Sequence, residues 1–594
     1  MQKKTFLKQI LIWRAKHISH RKFVYILSIL VGITSGMAAV VLKNLTHFIQ
    51  HLLQGNLIKY YPHAFYFLFP ILGLTLVYFI AKYIVRNKVS HGIPSTLYAI
   101  SKRKGIIKRF QMFGSLLTAP ITIGFGGSVG LEGPTVATGA AISSNISRMF
   151  HMNQTTRNLL IGCAAAGALS SIFKAPIAAI IFAIEVFSLD LTIASMLPLL
   201  FASISAILTS YFFFGNDVLL PFKIEDKFII SDVPFYVLLG VVSAFTSIYF
   251  TEVYERIQKF FDRLHTPFKR ILFGGISIGI LVYFIPPLYG EGFDVINNLL
   301  VGNPEKALEN NFLNLDLSNI WVVIMLLAGL VFFKIIASAL TFGAGGVGGI
   351  FAPTLFMGSV MGNCVAKFIN NIGLGVQVSE SNFTLVGMTG LMAGVLHAPL
   401  TAIFLIAEVT GGYELFIPLM LTAAISFGIT KIFHPHSVYS MELGRKGELI
   451  THNKDHAVLT LMDIGKVVET NFVPVYLKMT LGEIIHKAVV QSNRNIFPVI
   501  EKETNNFKGI ILLDDIRTIM FDQTLYNEVK AVDVMVSPPA IINLDKDIMT
   551  DIMKKFQDSS AWNLPVMKNG TYIGFISKSK LLTVYRRKLI EVTS

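Results

Sequence analysis

Long apolar runs, repeatedly cut by glycine and proline, leave few folds open to this chain. They lie near 23–42, 65–85, 112–125, 158–187, 195–214, 233–250, 270–286, 320–341, 354–370, 383–411 and 415–433. A helix needs about 20 mostly apolar residues to span a bilayer. Several runs are shorter than that or interrupted, and non-helical backbone is tolerated at membrane depth only where protein or a polar path surrounds it. The 594 residues are 53% hydrophobic and 15% charged, against about 25% charged in an ordinary soluble chain. A multi-pass membrane protein of transporter or channel type follows, and a disordered chain is excluded. Two cysteines, Cys163 and Cys364, both in apolar surroundings, cannot build a disulfide framework.

Charge gives an orientation. Residues 1–22 carry Lys3, Lys4, Lys8, Arg14, Lys16, Arg21 and Lys22 with no acid, and the stretch from Lys82 to Arg109 carries eight basic residues and no acid. Basic flanks stay on the cytoplasmic side, so 1–22 is expected to be a cytoplasmic segment with both termini inside. The net charge of +15 lies mostly before residue 451, between apolar runs. That is the placement of orienting charges, not of a nucleic-acid-binding face.

The chain repeats itself. GFGGSVGLEGPT (124–135) aligns with GAGGVGGIFAPT (343–354) at an offset of 219, and APIAAIIFAIEV (175–186) with APLTAIFLIAEV (398–409) at 223. Two motif pairs in the same order predict two homologous halves, about 23–215 and 233–445, inside a membrane domain of 23–445. Matching interrupted helices place a binding site near the midplane where the halves meet. Residues 446–594 read as a soluble α/β region of two units, about 460–520 and 532–590. Strands are expected at 497–500, 509–513, 564–567 and 572–577, with amphipathic helices at 481–490 and 548–556.

Glu132 is the only acid between Met1 and Ile184, and it lies inside the glycine-rich run 124–134. An ionisable group at membrane depth is costly and is a functional candidate by default; the structural alternative is a carboxylate that only accepts amides at a helix start. Gly124, Gly126, Gly127, Gly130 and Gly133, echoed by Gly343, Gly345, Gly346, Gly348 and Gly349, free the backbone to turn N–H groups toward one point. Helix N-termini bind anions, whereas a cation path needs carboxylates and carbonyls. The first 222 residues hold four acids, Glu132, Glu185, Asp190 and Asp217. Anion transport is therefore the leading reading, with Glu132 as a negative side chain that competes for an anion position.

GLEGP (130–134), GIFAP (349–353), HGIP (91–94) and the paired AP…E helices resemble the CLC chloride channels and chloride/proton antiporters over about residues 23–445. The resemblance implies a homodimer with one anion path per subunit, each built from inverted repeats of short tilted helices. Glu132 matches the family's gating glutamate. Ile350 and Phe351 match the amides at the central anion site, and Tyr439 matches the tyrosine whose hydroxyl contacts the anion. Gly92 belongs to the same site, but His91 stands where the family has a serine, and an imidazole titrates near pH 6.5. Leu131 replaces the usual basic residue before the gate, and Val186 occupies the position of the internal proton-transfer glutamate. Valine carries no proton, so passive conduction leads over a proton-coupled antiporter; His91 or Glu185 would have to supply another proton path. Glu185 reads as structural, because Glu408 holds the same place in the second half.

The C-terminal region resembles a tandem pair of CBS domains, regulatory modules that often bind adenine nucleotides. Each copy has half of the usual nucleotide pattern, Leu512 with Asp515 and Ser577 with Lys580, so a structural role competes with nucleotide sensing. A CBS-gated divalent-cation transporter is the third reading, and scarce acids argue against it. His434 with His436, and His452 with His456, lack a completed ligand set; no P-loop, dinucleotide motif or nucleophile triad is present. No enzyme activity and no required cofactor or metal are expected, with chloride as the transported ion in a plasma membrane.

Overall fold

The computed structural model describes residues 13–593 other than 15, 55–61, 88, 90–91, 216–225, 309–315, 374, 446–457 and 460–461. The chain divides into two units, Met1–Arg445 and Lys446–Ser594. The first is all helix, in the order α1 (His20–Gln54), α2 (Pro62–Phe79), α3 (Ile93–Lys102), α4 (Gln111–Gly124), α5 (Glu132–Met149), α6 (Gln154–Phe173), α7 (Pro176–Phe187) and α8 (Ile193–Phe214). The second half follows as α9 (Val233–Asp262), α10 (Pro267–Phe284), α11 (Phe293–Leu300), α12 (Ile320–Gly343), α13 (Phe351–Asn371), α14 (Glu380–Leu396), α15 (Pro399–Val409) and α16 (Phe416–Phe433). Eight helices among the described residues are long and apolar enough to cross a membrane.

Two runs read as continuous in the sequence are each broken in two. The run 158–187 splits at Lys174 (φ 55°) and 383–411 at His397 (φ 55°), each followed by Ala-Pro. A left-handed residue ends one helix and proline, which needs no N–H donor in a first turn, starts the next. Helix α5, absent from the apolar runs, lies almost wholly inside the protein. Its Gly, Ala, Ser and Thr residues give low hydropathy but allow close packing, as buried membrane helices require. A Cβ on Gly139 would meet Ser35 Oγ at 2.6 Å, and one on Gly358 of α13 would meet the Gly387 carbonyl of α14 at 2.6 Å.

The repeats meet through reciprocal contacts. Gly130 N–H donates to Gly349 O (2.9 Å) and Gly349 N–H to Gly130 O (2.8 Å). Thr122 Oγ1 accepts from Val347 N–H (3.1 Å), while Thr341 Oγ1 accepts from Ser128 N–H (3.2 Å). Glu185 accepts from the amides of Leu400 (3.0 Å) and Thr401 (2.8 Å) at the start of α15. Glu408 accepts from Ile177 (3.0 Å) and Ala178 (2.8 Å) at the start of α7. Each half thus caps a helix of the other, with a carboxylate at the positive end of the dipole.

The second unit holds two three-stranded sheets. In one, β1 (Val475–Tyr476) runs parallel to β2 (Ile496–Ile500), which pairs antiparallel with β3 (Phe507–Leu512). In the other, β4 (Ile542–Asn543), β5 (Asn563–Lys568) and β6 (Thr571–Ser577) repeat the arrangement, and the register slips after Val499 and again after Val566. Helices α17 (Met549–Ser559) and α18 (Lys578–Thr593) follow β4 and β6. Phe472, Ile496, Ile510 and Phe575 form an apolar cluster that joins the two sheets.

Candidate functional site

Three helices begin at one place. Intrahelical bonding starts with Thr96 N–H to Gly92 O in α3, Thr135 N–H to Leu131 O in α5, and Thr354 N–H to Ile350 O in α13. Amides ahead of these bonds have no partner within the helix. Pro94, Pro134 and Pro353 sit in the three first turns, where a missing N–H costs nothing and the fixed φ suits the helix. Gly92, at φ 61°, allows α3 to approach α5, since a Cβ there would lie 2.8 Å from the Gly133 backbone.

A cavity of 20 Å³ lies among these starts, lined by Ile93, Pro94, Gly133, Tyr254, Ile350 and Tyr439 with their neighbours. That is room for one water-sized species. The Tyr439 hydroxyl is buried there with no hydrogen-bond partner among the described residues. Phe351, the first residue of α13, turns its ring away onto Phe173 (5.2 Å between centroids) and Phe182 (6.2 Å). An apolar wall therefore backs the amides and strengthens their pull on a charge by excluding water.

Glu132, fully buried, stands at the first position of α5, and neither carboxylate oxygen has a hydrogen-bond partner among the described residues. The amides of Glu132 itself and of Ala352 face it without completing that geometry. Gly130 makes the space, because a Cβ there would collide with Glu132 Oε2 and lie 2.8 Å from Ala352 Cβ. Glu132 is thus a buried carboxylate set beside helix-start amides.

The structure brings Glu132, Gly92, Ile350, Phe351 and Tyr439 together around this point. His91 lies outside the described residues, as do Ser90, His452 and His456. Val186 is half-buried on α7, beside the capping carboxylate of Glu185. Two charged residues passed over in the sequence also approach the site. Glu291 accepts the Leu131 amide at 2.9 Å, and Lys334, fully buried, donates to Gly290 O at 3.0 Å. The signal existed: Lys334 is the lone charge in the apolar run 320–341, and Glu291 is an acid between two glycines.

Helix starts converging with a free carboxylate at the seam of two repeats define an anion-transporting membrane protein of the inverted-repeat class. Residues 72–431 match the model of the voltage gated chloride channel family, and 529–587 match the CBS domain. A putative chloride channel protein ClcB-like from Ralstonia nicotianae is 28% identical over 378 residues, 63% of this chain and 83% of that protein. The H(+)/Cl(-) exchange transporter ClcA of Vibrio cholerae is 26% identical over 442 residues, 71% of this chain and 89% of that one. Among solved structures, a slow cyanobacterial Cl-/H+ antiporter superposes with a TM-score of 0.60 at 21% identity, over 72% of this chain and 98% of that one. A eukaryotic CLC transporter superposes at 0.59 and 17% identity, over 94% and 97%. The chain belongs to the voltage-gated chloride channel family, the CLC family: a multi-pass membrane protein that moves chloride, without enzyme activity or a required cofactor.

Proposed function

We propose that this chain conducts chloride passively along a path gated by Glu132, without obligatory proton exchange. Val186 carries the reading. The internal position that serves proton transfer in coupled members is apolar here, and its neighbour Glu185 is occupied as the cap of α15. Relatives named as channels and as exchangers both occur, so coupling is decided by this chain's own residues. The central anion rests among the amides of Ile350 and Phe351, the Gly92 turn and the Tyr439 hydroxyl. Glu132 swings between that space and the outside, and His91 tunes the inner end. The protein works as a homodimer in the plasma membrane with cytoplasmic termini. Its CBS pair acts structurally: the Ser577 hydroxyl, half of the nucleotide pattern, already donates to Glu469 at 2.6 Å.

The test is chloride efflux from liposomes. Glu132→Gln removes the competing charge and should raise the rate several-fold at neutral pH and blunt its rise on acidification. A variant with the wild-type rate and pH response would remove Glu132 from the gate.

A further inference from the structure

The connection from α10 to α11 reads Pro-Pro-Leu-Tyr-Gly-Glu-Gly over residues 286–292, and three contacts hold it against the gate. The Tyr289 hydroxyl donates to Gly124 O at 2.5 Å, and its ring lies where a Cβ on Gly126 would be, 2.6 Å away. From the middle of α12, Lys334 Nζ donates to Gly290 O at 3.0 Å and lies 4.6 Å from the Phe356 ring centre. Gly292, at φ 87°, is pressed so closely by Phe356 that a side chain would collide. Between these points Glu291 Oε1 accepts the Leu131 amide at 2.9 Å. Leu131 immediately precedes Glu132, so its amide is one of the donors at the positive end of α5.

A cavity of 420 Å³ reaches this bond. It is lined by Glu291, Leu131 and Thr135, by Lys43 and His47 of α1, and by Asp294 and Lys306. Two positive charges, Lys334 and Lys43, act on Glu291, and Glu132 is its carboxylate neighbour across the start of α5. An anion that passes Glu132 on this side enters a charged cavity whose nearest helix-start amide is already taken by a carboxylate.

Resting on the reading of Glu132 as the gate, we propose that Glu291 is a second, outer gate. Its carboxylate holds the Leu131 amide and repels the anion, and the path opens fully only when a proton weakens that bond. A charge-assisted hydrogen bond is about twice as strong as a neutral one, so neutralising the carboxylate loosens its hold on the amide. Leu131, where the family carries a basic residue, offers Glu291 no side-chain partner and leaves the backbone as its anchor.

The experiment is the pH profile of chloride efflux from liposomes, external pH 4.5 to 8, for wild type, Glu132→Gln, Glu291→Gln and the double variant. Glu291→Gln should raise the rate at pH 7.5 several-fold and flatten part of the profile. Glu132→Gln should keep a residual pH dependence, and the double variant should lose it. A Glu132→Gln profile already flat, or a double variant whose profile matches that of Glu132→Gln, overturns the proposal. If Glu291→Gln does not fold, Glu291→Ala removes the repelling carboxylate and frees the Leu131 amide, and should raise the rate at pH 7.5 as Glu291→Gln would; an unchanged rate and profile overturn the proposal. Wild-type liposomes that release no chloride at any pH would instead sink the transport reading itself.

Discussion

Glu132, Glu185 and Glu408 are three carboxylates in the membrane unit with two different fates. Glu185 and Glu408 each accept two amides of the opposite repeat, whereas Glu132 accepts none among the described residues. The first two join the halves, and the third is the one proposed to move. Glu185→Ala strands the amide and hydroxyl of buried Thr401, at a cost of about 1–3 kcal/mol for a buried polar group left unpaired, along with the amide of the exposed Leu400. Glu185→Gln, which keeps one acceptor oxygen, should lose less. Thermal unfolding of the detergent-purified protein checks this; a midpoint unmoved by Glu185→Ala would show that the caps do not stabilise the seam.

The elements that the sequence declared best were those with chemistry at their ends. GLEGP and GIFAP marked the starts of α5 and α13 because glycine and proline have fixed meanings at helix starts. Hydropathy alone missed helix α5 because packing on all sides favours small residues, and it ran through the breaks at Lys174 and His397, which are marked by the Ala-Pro pairs that follow and not by the left-handed residues themselves. The clasp through Glu291 was invisible for another reason: it joins residues 160 apart through one backbone amide. In the second unit the alternation of apolar strands was clear, and the bond network between its copies was not. There Glu469 accepts from Ser577 (2.6 Å) and Arg494 (2.9 Å) while its backbone pairs with Phe575. Burial pulls the Glu469 carboxyl upward, but those hydrogen bonds and the Arg494 charge outweigh it and leave it below the usual carboxylate range. A lowered folded-state value contributes stability that is present above the ordinary carboxylate range and is lost as pH falls through the folded value. Unfolding of this unit, followed by Trp562 fluorescence in the full chain with Trp13 and Trp321 replaced by Phe, should therefore become easier as pH drops below about 4. Glu469→Gln should lack that acid-dependent part; an identical pH dependence in both proteins would contradict the assignment.

For the whole molecule, the offsets of 219 and 223 read in the sequence reappear as reciprocal bonds across one seam, where the starts of α5 and α13 meet. Two copies of one fold, facing opposite ways, bring positive helix ends to the same depth. In the proposed mechanism chloride is held by dipoles and opposed by carboxylates, with Val186 apolar at the internal proton position. The most direct measurement records chloride efflux and internal pH together, in liposomes holding the purified protein under an imposed chloride gradient. Chloride release without linked proton movement is the predicted result; protons driven against their own gradient by the chloride gradient would contradict passive conduction and require a proton path that bypasses Val186.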